Sequence, residues 1–313
     1  MTVLPPGATE DAFTTVCQDE AALRPGVERL CQRLGVDVPG LTRFAAGSRP
    51  VYASGDLVLK LFPPVDLAGC RVEAGVLTAV AGKLPVPAPR VLAAGEHDGW
   101  GYVLMSRLPG VALDTVRDRV SAGDRDVLAS QLGEAVAVLH QLPPPEIPGW
   151  WPADWPAFVA RQRAGCVSAQ RSLGLPELWA TQLDAFLDEV TLPLRPPVLL
   201  HTEVMSQHLL VVQTAGRWRL SGLIDFEPAM RGDREYEFAA VGVFVAEGDA
   251  RFLTRTLTAY GYGREELGPE LRRRLLAWSI LHRYSNLAAW LRRLPDPAEP
   301  TLGALADRWF ATE

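Results

Sequence analysis

The chain has 313 residues and a formal net charge of −6, with 48% hydrophobic and 22% charged residues. This composition is typical of a globular protein, so it excludes a wholly disordered chain, and the length fits one large domain or two lobes that share a site. Because nucleic-acid binders need a clustered basic face to neutralise phosphates, the acidic balance disfavours a nucleic acid as the partner.

The sequence contains neither an apolar segment of membrane-spanning length nor a cysteine pattern typical of a metal site. No stretch approaches about 18 uninterrupted apolar residues, and residues 1–13 lack the basic start and apolar centre of a signal peptide. The four cysteines are widely spaced and form no CxxC pair, so we expect reduced thiols. These features predict a cytoplasmic protein without a membrane partner.

The N-terminal part of the chain alternates β-prone runs with two helical patterns. Apolar residues at helical spacing predict helices over residues 25–34 and 67–80. Glycines and prolines separate short runs rich in β-branched residues, a pattern typical of antiparallel strands. The predicted strands are 41–46, 51–53, 57–62, 90–94 and 101–106.

After Pro109-Gly110 the patterns become mainly helical, with three short apolar runs between them. The predicted helices span residues 127–142, 155–169, 176–189, 237–246, 252–260 and 271–294. The apolar runs are too short for helices and predict strands at 198–200, 209–212 and 218–224. Loops at strand ends commonly present functional residues, so we expect a site between these strands.

Two polar clusters adjoin the short strands. The first, HTEVMSQH, covers residues 201–208, and the second, DFE, covers residues 225–227. If the strands pair, Glu203, His208 and Asp225 converge, which places a carboxylate beside a pair of groups able to bind a metal. An unpaired buried carboxylate is hard to stabilise, so Asp225 at the end of an apolar strand predicts a function.

These motifs, in this order, resemble those of the aminoglycoside phosphotransferase and choline kinase family, which is related to eukaryotic protein kinases. The resemblance covers residues 41–294. The family's HxDxxxxN loop corresponds to residues 201–208, and its IDF segment corresponds to residues 224–226. Upstream, Lys60 and Glu73 match the phosphate-binding lysine and its ion-pair partner. Residues 102–110 resemble the linker whose backbone meets adenine.

The resemblance implies a two-lobed, protein-kinase-like α+β fold. Its β-rich, nucleotide-binding lobe would be residues 1–106, and its helical lobe with the acceptor site would be residues 107–313. The donor would be ATP or GTP with Mg²⁺ or Mn²⁺. The implied roles are catalysis for Glu203 and metal binding for Asp225 and His208. Cofactor binding is expected for Ser48, Lys60, Glu73, Met105, Ser106 and Leu108. His201 either shares in the catalytic proton transfer or orients the loop through hydrogen bonds, and Glu227 either joins the metal or faces solvent.

Three positions depart from the family pattern. Glu203 stands where Asp is usual, which moves the carboxylate outward by on the order of an ångström. His208 replaces Asn, which points to tolerance for Mn²⁺ or to a hydrogen-bonding role. The segment 45–49 has one glycine where the family's phosphate loop has three. A catalytically impaired nucleotide-binding protein is therefore an alternative.

The predicted reaction is transfer of a γ-phosphoryl group to a hydroxyl of a small molecule. Similarity to hygromycin-type kinases makes an aminoglycoside or hygromycin-like antibiotic the leading acceptor. An endogenous metabolite is the alternative, because residues 271–294 hold six arginines and no acidic residue, a poor wall for a polycationic acceptor. The preceding segment could supply the missing carboxylates from Asp154, Glu177, Asp184, Asp188 and Glu189.

Two further features allow two interpretations each. Asp233 precedes a predicted helix, so it either caps that helix or braces the 201–208 loop. The tryptophans at 150, 151 and 155 either line a substrate cleft or pack in the core.

Overall fold

Short apolar strands joined by tight turns form the five-stranded sheet of the N-terminal lobe. The protein is represented by a computed structural model, which describes residues 3–5 and 13–313; the remainder of the predicted lobe, residues 1–2 and 6–12, lies outside the described residues. The sheet is antiparallel throughout, with strand order β1-β2-β3-β5-β4. Its strands are β1 (Thr42–Arg43), β2 (Val51–Ser54), β3 (Leu57–Phe62), β4 (Val91–His97) and β5 (Trp100–Ser106).

Three helices accompany this sheet: α1 (Phe13–Gln18), α2 (Glu20–Leu34) and α3 (Leu67–Val80). The predicted start of α2 at residue 25 is wrong. The helix begins five residues earlier, at Glu20, where the Asp19 carboxylate caps it, and Pro25 lies inside it. The predicted strand 41–46 is too long. The strand consists of Thr42 and Arg43, and residues 44–50 form a loop whose first N–H, that of Phe44, still donates to the Val51 carbonyl of β2 at 2.9 Å.

The C-terminal lobe is mainly helical and carries two small sheets, β6-β8-β9 and β10-β7. The strands are β6 (Val111–Ala112), β7 (Val198–Leu200), β8 (Leu209–Thr214), β9 (Arg217–Leu223) and β10 (Met230–Gly232). The helices are α4 (Ala122–Gln141), α5 (Trp155–Ser172), α6 (Glu177–Ala180), α7 (Leu183–Glu189), α8 (Arg234–Val241), α9 (Ala250–Tyr260), α10 (Pro269–Ile280), α11 (Leu287–Leu291) and α12 (Leu302–Trp309).

Two helices predicted as continuous are each divided in two. The predicted helix 271–294 ends as α10 at Ile280, and α11 begins at Leu287 with the Asn286 side chain as its cap. The predicted helix 176–189 breaks between α6 and α7. There the Gln182 side chain donates to the carbonyl of Pro300 and accepts from the N–H of Leu302, so contacts with the α12 region replace helix continuity.

The predicted helix 237–246 begins earlier and changes type at its end. Asp233 accepts the Glu235 N–H at 2.8 Å and caps α8, which is one of the two roles considered for it. Beyond Val241 the chain continues as a π-helical turn, Gly242–Ala246. A side chain at Gly242 would meet the Phe310 ring at 2.1 Å, so glycine is needed for this close approach.

One hydrophobic core joins the two lobes. It includes Val76 of α3 and Met105 of β5 together with Leu132 of α4 and Leu209 of β8. The loops at residues 201–208 and 224–229 emerge from the small sheets of the C-terminal lobe, and the second of them meets β3 and α3 of the N-terminal lobe. Within residues 3–5 and 13–313, no helix has the length and apolar character needed to cross a membrane.

Candidate active site

The 201–208 loop connects β7 to β8 and is fixed at its start by a buried carboxylate. Glu237 of α8 accepts the N–H of His201 at 2.6 Å and the N–H of Thr202 at 2.8 Å, one on each oxygen. His140 lies 3.4 Å from the same carboxylate. Backbone and side-chain donors hold the pKa of Glu237 below its usual value despite its burial. The bracing role considered for Asp233 therefore belongs to Glu237.

Thr202 has a left-handed backbone, with φ of 72°, which is rare for a β-branched residue. Its hydroxyl donates to the Pro228 carbonyl at 3.0 Å, and its own carbonyl accepts from His282 Nε2 at 3.2 Å. Such a conformation persists only where surrounding contacts determine it. The contacts of Thr202 therefore fix the direction in which the next residue, Glu203, leaves the loop.

His201 is fully buried and serves as an internal brace. Its Nε2 donates to the carbonyl of Ile224 at 2.9 Å, and its ring packs edge-on against Phe226, 4.6 Å away. Burial lowers the pKa of His201, so the ring is neutral. These contacts connect the loop to the segment that carries Asp225.

Glu203, His208 and Asp225 converge as the sequence predicts. His208 Nδ1 donates to the Glu203 carbonyl at 2.7 Å, and its Nε2 lies 3.2 Å from an oxygen of Asp225. One ligand atom from each of the three residues lies within 4.8 Å of the other two. Burial and the charge of Asp225 raise the pKa of the Glu203 carboxyl. Glu203 is thus a stronger base than a free glutamate.

Lys60 is surrounded by three carboxylates, a group we call the cleft cluster: Lys60, Glu73, Asp225 and Glu227. Its Nζ lies 2.8 Å from Glu73 and 2.7 Å from Glu227, and it also contacts Asp225 directly. Although burial disfavours the ammonium, these carboxylates raise the pKa of Lys60. Burial likewise opposes ionisation of Asp225, but Lys60 and His208 hold the pKa of Asp225 well below its usual value.

The side chain of Glu227 is only 7% exposed, which excludes the solvent-facing alternative for this residue. One oxygen contacts Lys60, and the other lies 2.5 Å from the Arg49 guanidinium. Burial and the neighbouring Asp225 raise the pKa of Glu227. Arg49 also pairs with Asp66 at 2.6 Å, so it links the 44–50 loop both to the start of α3 and to the opposite lobe.

The donor set fits a divalent cation. Glu73, Asp225 and Glu227 present carboxylate oxygens that lie within 4.8 Å of one another, and oxygen donors are what Mg²⁺ prefers. The second group, which His208 completes with Glu203 and Asp225, adds a nitrogen donor that suits Mn²⁺ better than Mg²⁺. Asp225 belongs to both groups, so it would be a ligand in either arrangement.

The linker residues lie at the end of β5, and β5 pairs with β3, the strand that carries Lys60. Met105 and Ser106 end β5, where the Ser106 hydroxyl accepts the Arg90 N–H at 2.9 Å. Leu108 packs against Gly222 of β9, where an added Cβ would lie 2.6 Å from it. Ser48 is exposed in the 44–50 loop and accepts from Arg49 at 3.3 Å.

The three tryptophans separate into two environments. Trp155 packs among Phe158, Tyr236 and Trp278, which is the core alternative. Trp150 donates to the Ala229 carbonyl at 2.8 Å. Trp151 is 42% exposed, and Trp150 and Trp155 line a groove together with Pro152 and Pro197, so the cleft alternative stays open for all three.

Arg49 and His282 are the site residues that sequence reasoning missed. His282 follows α10 and reaches the 201–208 loop through Thr202, but in sequence it resembles an ordinary helix residue. Arg49 follows Ser48, and only its contact with Glu227, 178 residues away, reveals its place in the site.

Comparison with known proteins identifies the family and the fold. A sequence model described as "Phosphotransferase enzyme family" matches residues 40–278. The GDP complex of wild-type aminoglycoside 2'-phosphotransferase-IIIa is similar in structure, with a TM-score of 0.69 and 17% identity over 94% of this chain and 99% of that chain. A streptomycin-ATP-APH(2″)-IIa ternary complex gives 0.59 and 18% over 82% and 90%, respectively. These similarities confirm the predicted two-lobed α+β fold.

A curated relative matches over a shorter part of the chain. The "Lysine-specific demethylase JMJ21" of Arabidopsis thaliana is 24% identical over 215 residues. The match covers 56% of this chain but only 23% of that protein's length. The shared part is therefore a segment of a much longer protein.

Proposed function

Because this chain belongs to the phosphotransferase enzyme family, we propose that it transfers the γ-phosphoryl group of ATP or GTP to a hydroxyl of a small molecule. The observation that carries the proposal is the cleft cluster beside Glu203. It supplies a buried cation, carboxylates for a divalent metal and a carboxylate of raised basicity. These are the groups that phosphoryl transfer requires.

In this proposal the nucleotide lies between the lobes, with adenine or guanine against Met105, Ser106 and Leu108. Lys60 binds the phosphates, and Glu73 orients the ammonium by its 2.8 Å contact. Asp225 and Glu227 would hold Mg²⁺, with His208 as a further ligand if the metal is Mn²⁺. When bound, the metal supplies positive charge that offsets the charge of the transferring phosphoryl group.

Glu203 receives the acceptor's proton. The new bond joins the acceptor oxygen to the γ-phosphorus, the bond from that phosphorus to the β–γ bridging oxygen breaks, and the nucleoside diphosphate leaves. The raised pKa of Glu203 favours this proton transfer, since a base is more effective as its pKa approaches the working pH. His201 touches no reacting atom in this scheme and positions the loop through Ile224.

An aminoglycoside or hygromycin-like antibiotic is the first candidate acceptor, by analogy with relatives such as the enzyme in the streptomycin complex. A metabolite without multiple positive charges is the second. Of the carboxylates that could face a polycation, Asp154 caps α5, and three others form ion pairs with arginines of this chain. Those three are Glu177, Asp188 and Glu189, paired with Arg171, Arg163 and Arg273.

Arg283 also favours the second candidate. Its guanidinium lies 4.8 Å from the Trp151 ring centroid and 4.5 Å from that of Tyr284. Both aromatic side chains are exposed. Arg283 also lies close enough to Glu203 for its positive charge to oppose the rise in the pKa of that carboxyl. A cation at this place repels aminoglycoside ammonium groups, and the exposed aromatic side chains beside it suit a neutral sugar or a flat acceptor.

The test measures nucleoside diphosphate release with Mg²⁺ or Mn²⁺ across aminoglycosides, hygromycin-like antibiotics, neutral sugars and amino alcohols. Asp225→Ala serves as the blank. We expect acceptor-dependent release that the blank lacks, and the responding class identifies the acceptor. Saturable nucleotide binding without turnover on any acceptor would favour the impaired nucleotide-binding alternative.

Glu203→Asp separates an active glutamate from an impaired site. In an enzyme adapted to Glu203, retracting the carboxylate by one methylene lowers the turnover number by about 10²-fold, because the anchored loop cannot follow. Glu203→Gln lowers it by about 10²- to 10⁴-fold with nucleotide affinity unchanged. A gain of activity in Glu203→Asp would instead show that glutamate impairs the site.

A further inference from the structure

The 44–50 loop occupies the place of the family's phosphate loop but lacks its chemistry. Glycine-rich loops bind phosphates mainly through backbone N–H groups, which glycine lets approach closely. Here the sequence is FAAGSRP, with a single glycine and with Pro50, which has no N–H. The loop therefore needs another group if it is to contact phosphates.

Arg49 is the charged side chain that this loop directs into the cleft. Its Nη1 lies 2.5 Å from Glu227 Oε1, and its Nε lies 2.6 Å from Asp66 Oδ2. The side chain is 15% exposed, and the guanidinium lies over the Phe62 ring at 5.6 Å. Asp66 and Phe62 belong to the same lobe as Arg49, whereas Glu227 belongs to the other lobe.

Glu227 holds Arg49 and Lys60 at the two ends of one carboxylate. Lys60 is 2.7 Å from Oε2, while Arg49 is 2.5 Å from Oε1. A phosphoryl group also presents neighbouring anionic oxygens, and guanidinium and ammonium groups both bind such oxygens. Two cations spaced to share one carboxylate are therefore spaced to share one phosphate.

We infer that Arg49 binds a phosphate of the nucleotide in place of the backbone N–H groups that a glycine-rich loop would supply. In the nucleotide-free protein, the carboxylate of Glu227 occupies the position of that phosphate beside Arg49. On nucleotide binding, Arg49 exchanges Glu227 for a phosphate while Asp66 keeps the guanidinium in place. The exchange releases a contact between the lobes and frees Glu227 at the moment the nucleotide arrives. The inference rests on the proposed function, since it concerns the same nucleotide.

The test measures the dissociation constants of fluorescent mant-ATP, mant-ADP and mant-AMP in the presence of EDTA. We expect Arg49→Gln to weaken mant-ATP and mant-ADP binding by about tenfold, the loss typical of one charge-assisted hydrogen bond. Binding of mant-AMP changes less than about twofold, which also shows that the cleft is folded. Arg43→Ala is the control, because Arg43 lies in the same lobe but pairs with Glu20, away from the cleft.

Glu227→Gln tests the exchange itself. Because the variant releases Arg49 and removes a negative charge, mant-ATP binding without metal tightens severalfold. That gain shrinks when Arg49→Gln is also present, so the two effects are not additive. Additive effects, or unchanged mant-ATP binding in Arg49→Gln, would overturn this inference. Wild-type protein that binds no mant nucleotide, with or without Mg²⁺, would overturn the proposed function as well.

Discussion

Glu237 uses both of its carboxylate oxygens on backbone N–H groups of the 201–208 loop. Glu237→Gln keeps the size of the side chain but leaves one of these buried N–H groups facing an NH₂ donor. We expect the free energy of unfolding to fall by about 1–3 kcal/mol. Urea unfolding checks this, with the exposed Glu146→Gln as the control. Equal stability of the two variants would contradict the bracing role.

His282 provides a pH prediction. Burial lowers the pKa of His282 from 6.5 to about 4, so the folded protein holds a neutral ring that the unfolded chain protonates below pH 6.5. Stability from this residue is therefore present above pH 6.5 and is lost as pH falls toward 4. Between about pH 7.5 and 5.5 we expect a loss of about 1.4 kcal/mol.

Urea unfolding at both pH values measures that loss. The buried His201, whose pKa is also lowered, adds to the wild-type slope in the same direction. His282→Gln is less stable at every pH, because it loses the bond to Thr202, but its dependence on pH is smaller than that of the wild type. An unchanged pH dependence in His282→Gln would refute the assignment.

The structure brings together residues that the separate family motifs single out. Lys60, Glu73, Glu203, His208, Asp225 and Glu227 all lie around one cleft, as the order of motifs implied. Their catalytic and metal-binding roles stay predictions. Arg49 could not be recognised, because its partner Glu227 is distant in sequence and a surface loop arginine is a common feature.

At the scale of elements, helices α4 and α9 cross at Gly133. A Cβ on this residue would lie 2.2 Å from the Thr256 carbonyl oxygen and 2.9 Å from the Tyr260 nitrogen. Because both neighbours are helix backbone, they can yield only if the helices separate. We expect Gly133→Ala to lower the free energy of unfolding by about 1–3 kcal/mol.

The matched control is Gly165→Ala in α5. Outside the backbone of its own helix, no atom lies within 4 Å of the added Cβ there. The change in stability therefore depends on helix propensity alone, and we expect the free energy of unfolding to rise by about 0.5–1 kcal/mol. Thermal or urea unfolding of both variants checks the pair. A Gly133→Ala protein that gains stability would show that the helices do not pack as closely as described.

The bounds of helices and strands were predicted correctly where turn residues or prolines next to them mark their ends. Strand 57–62 and helix 67–80 agree with β3 and α3, because the turn at residues 54–56 and the prolines at 63 and 64 limit them. The predicted helix 271–294 failed because its apolar spacing continues through residues 281–286. There His282 and Arg283 bond to Thr202 and Tyr236, contacts that no local pattern encodes.

At the scale of the molecule, the two lobes meet around a buried lysine. Lys60→Met leaves Glu73, Asp225 and Glu227 without their shared cation. We expect the free energy of unfolding to fall by about 3–5 kcal/mol at neutral pH. The difference in stability between Lys60→Met and the wild type becomes smaller as pH falls, because protonated carboxyl groups carry no charge for the ammonium to neutralise.

Lys83→Met is the control, since Lys83 is exposed and such a change alters stability by about 0.5 kcal/mol or less. Urea unfolding of both variants at two pH values checks the prediction. If Lys60→Met were as stable as Lys83→Met, the cluster would contribute nothing to joining the lobes.

Of the 31 lysines and arginines in the chain, only Lys60 and Lys83 are lysines. Acylating reagents attack the uncharged amine, and Lys60 is both buried and held in its charged form by three carboxylates. Lys83 therefore takes almost all side-chain acylation. Apart from the α-amino group, the protein can therefore be attached to a surface or carry a dye through one defined side chain, that of Lys83.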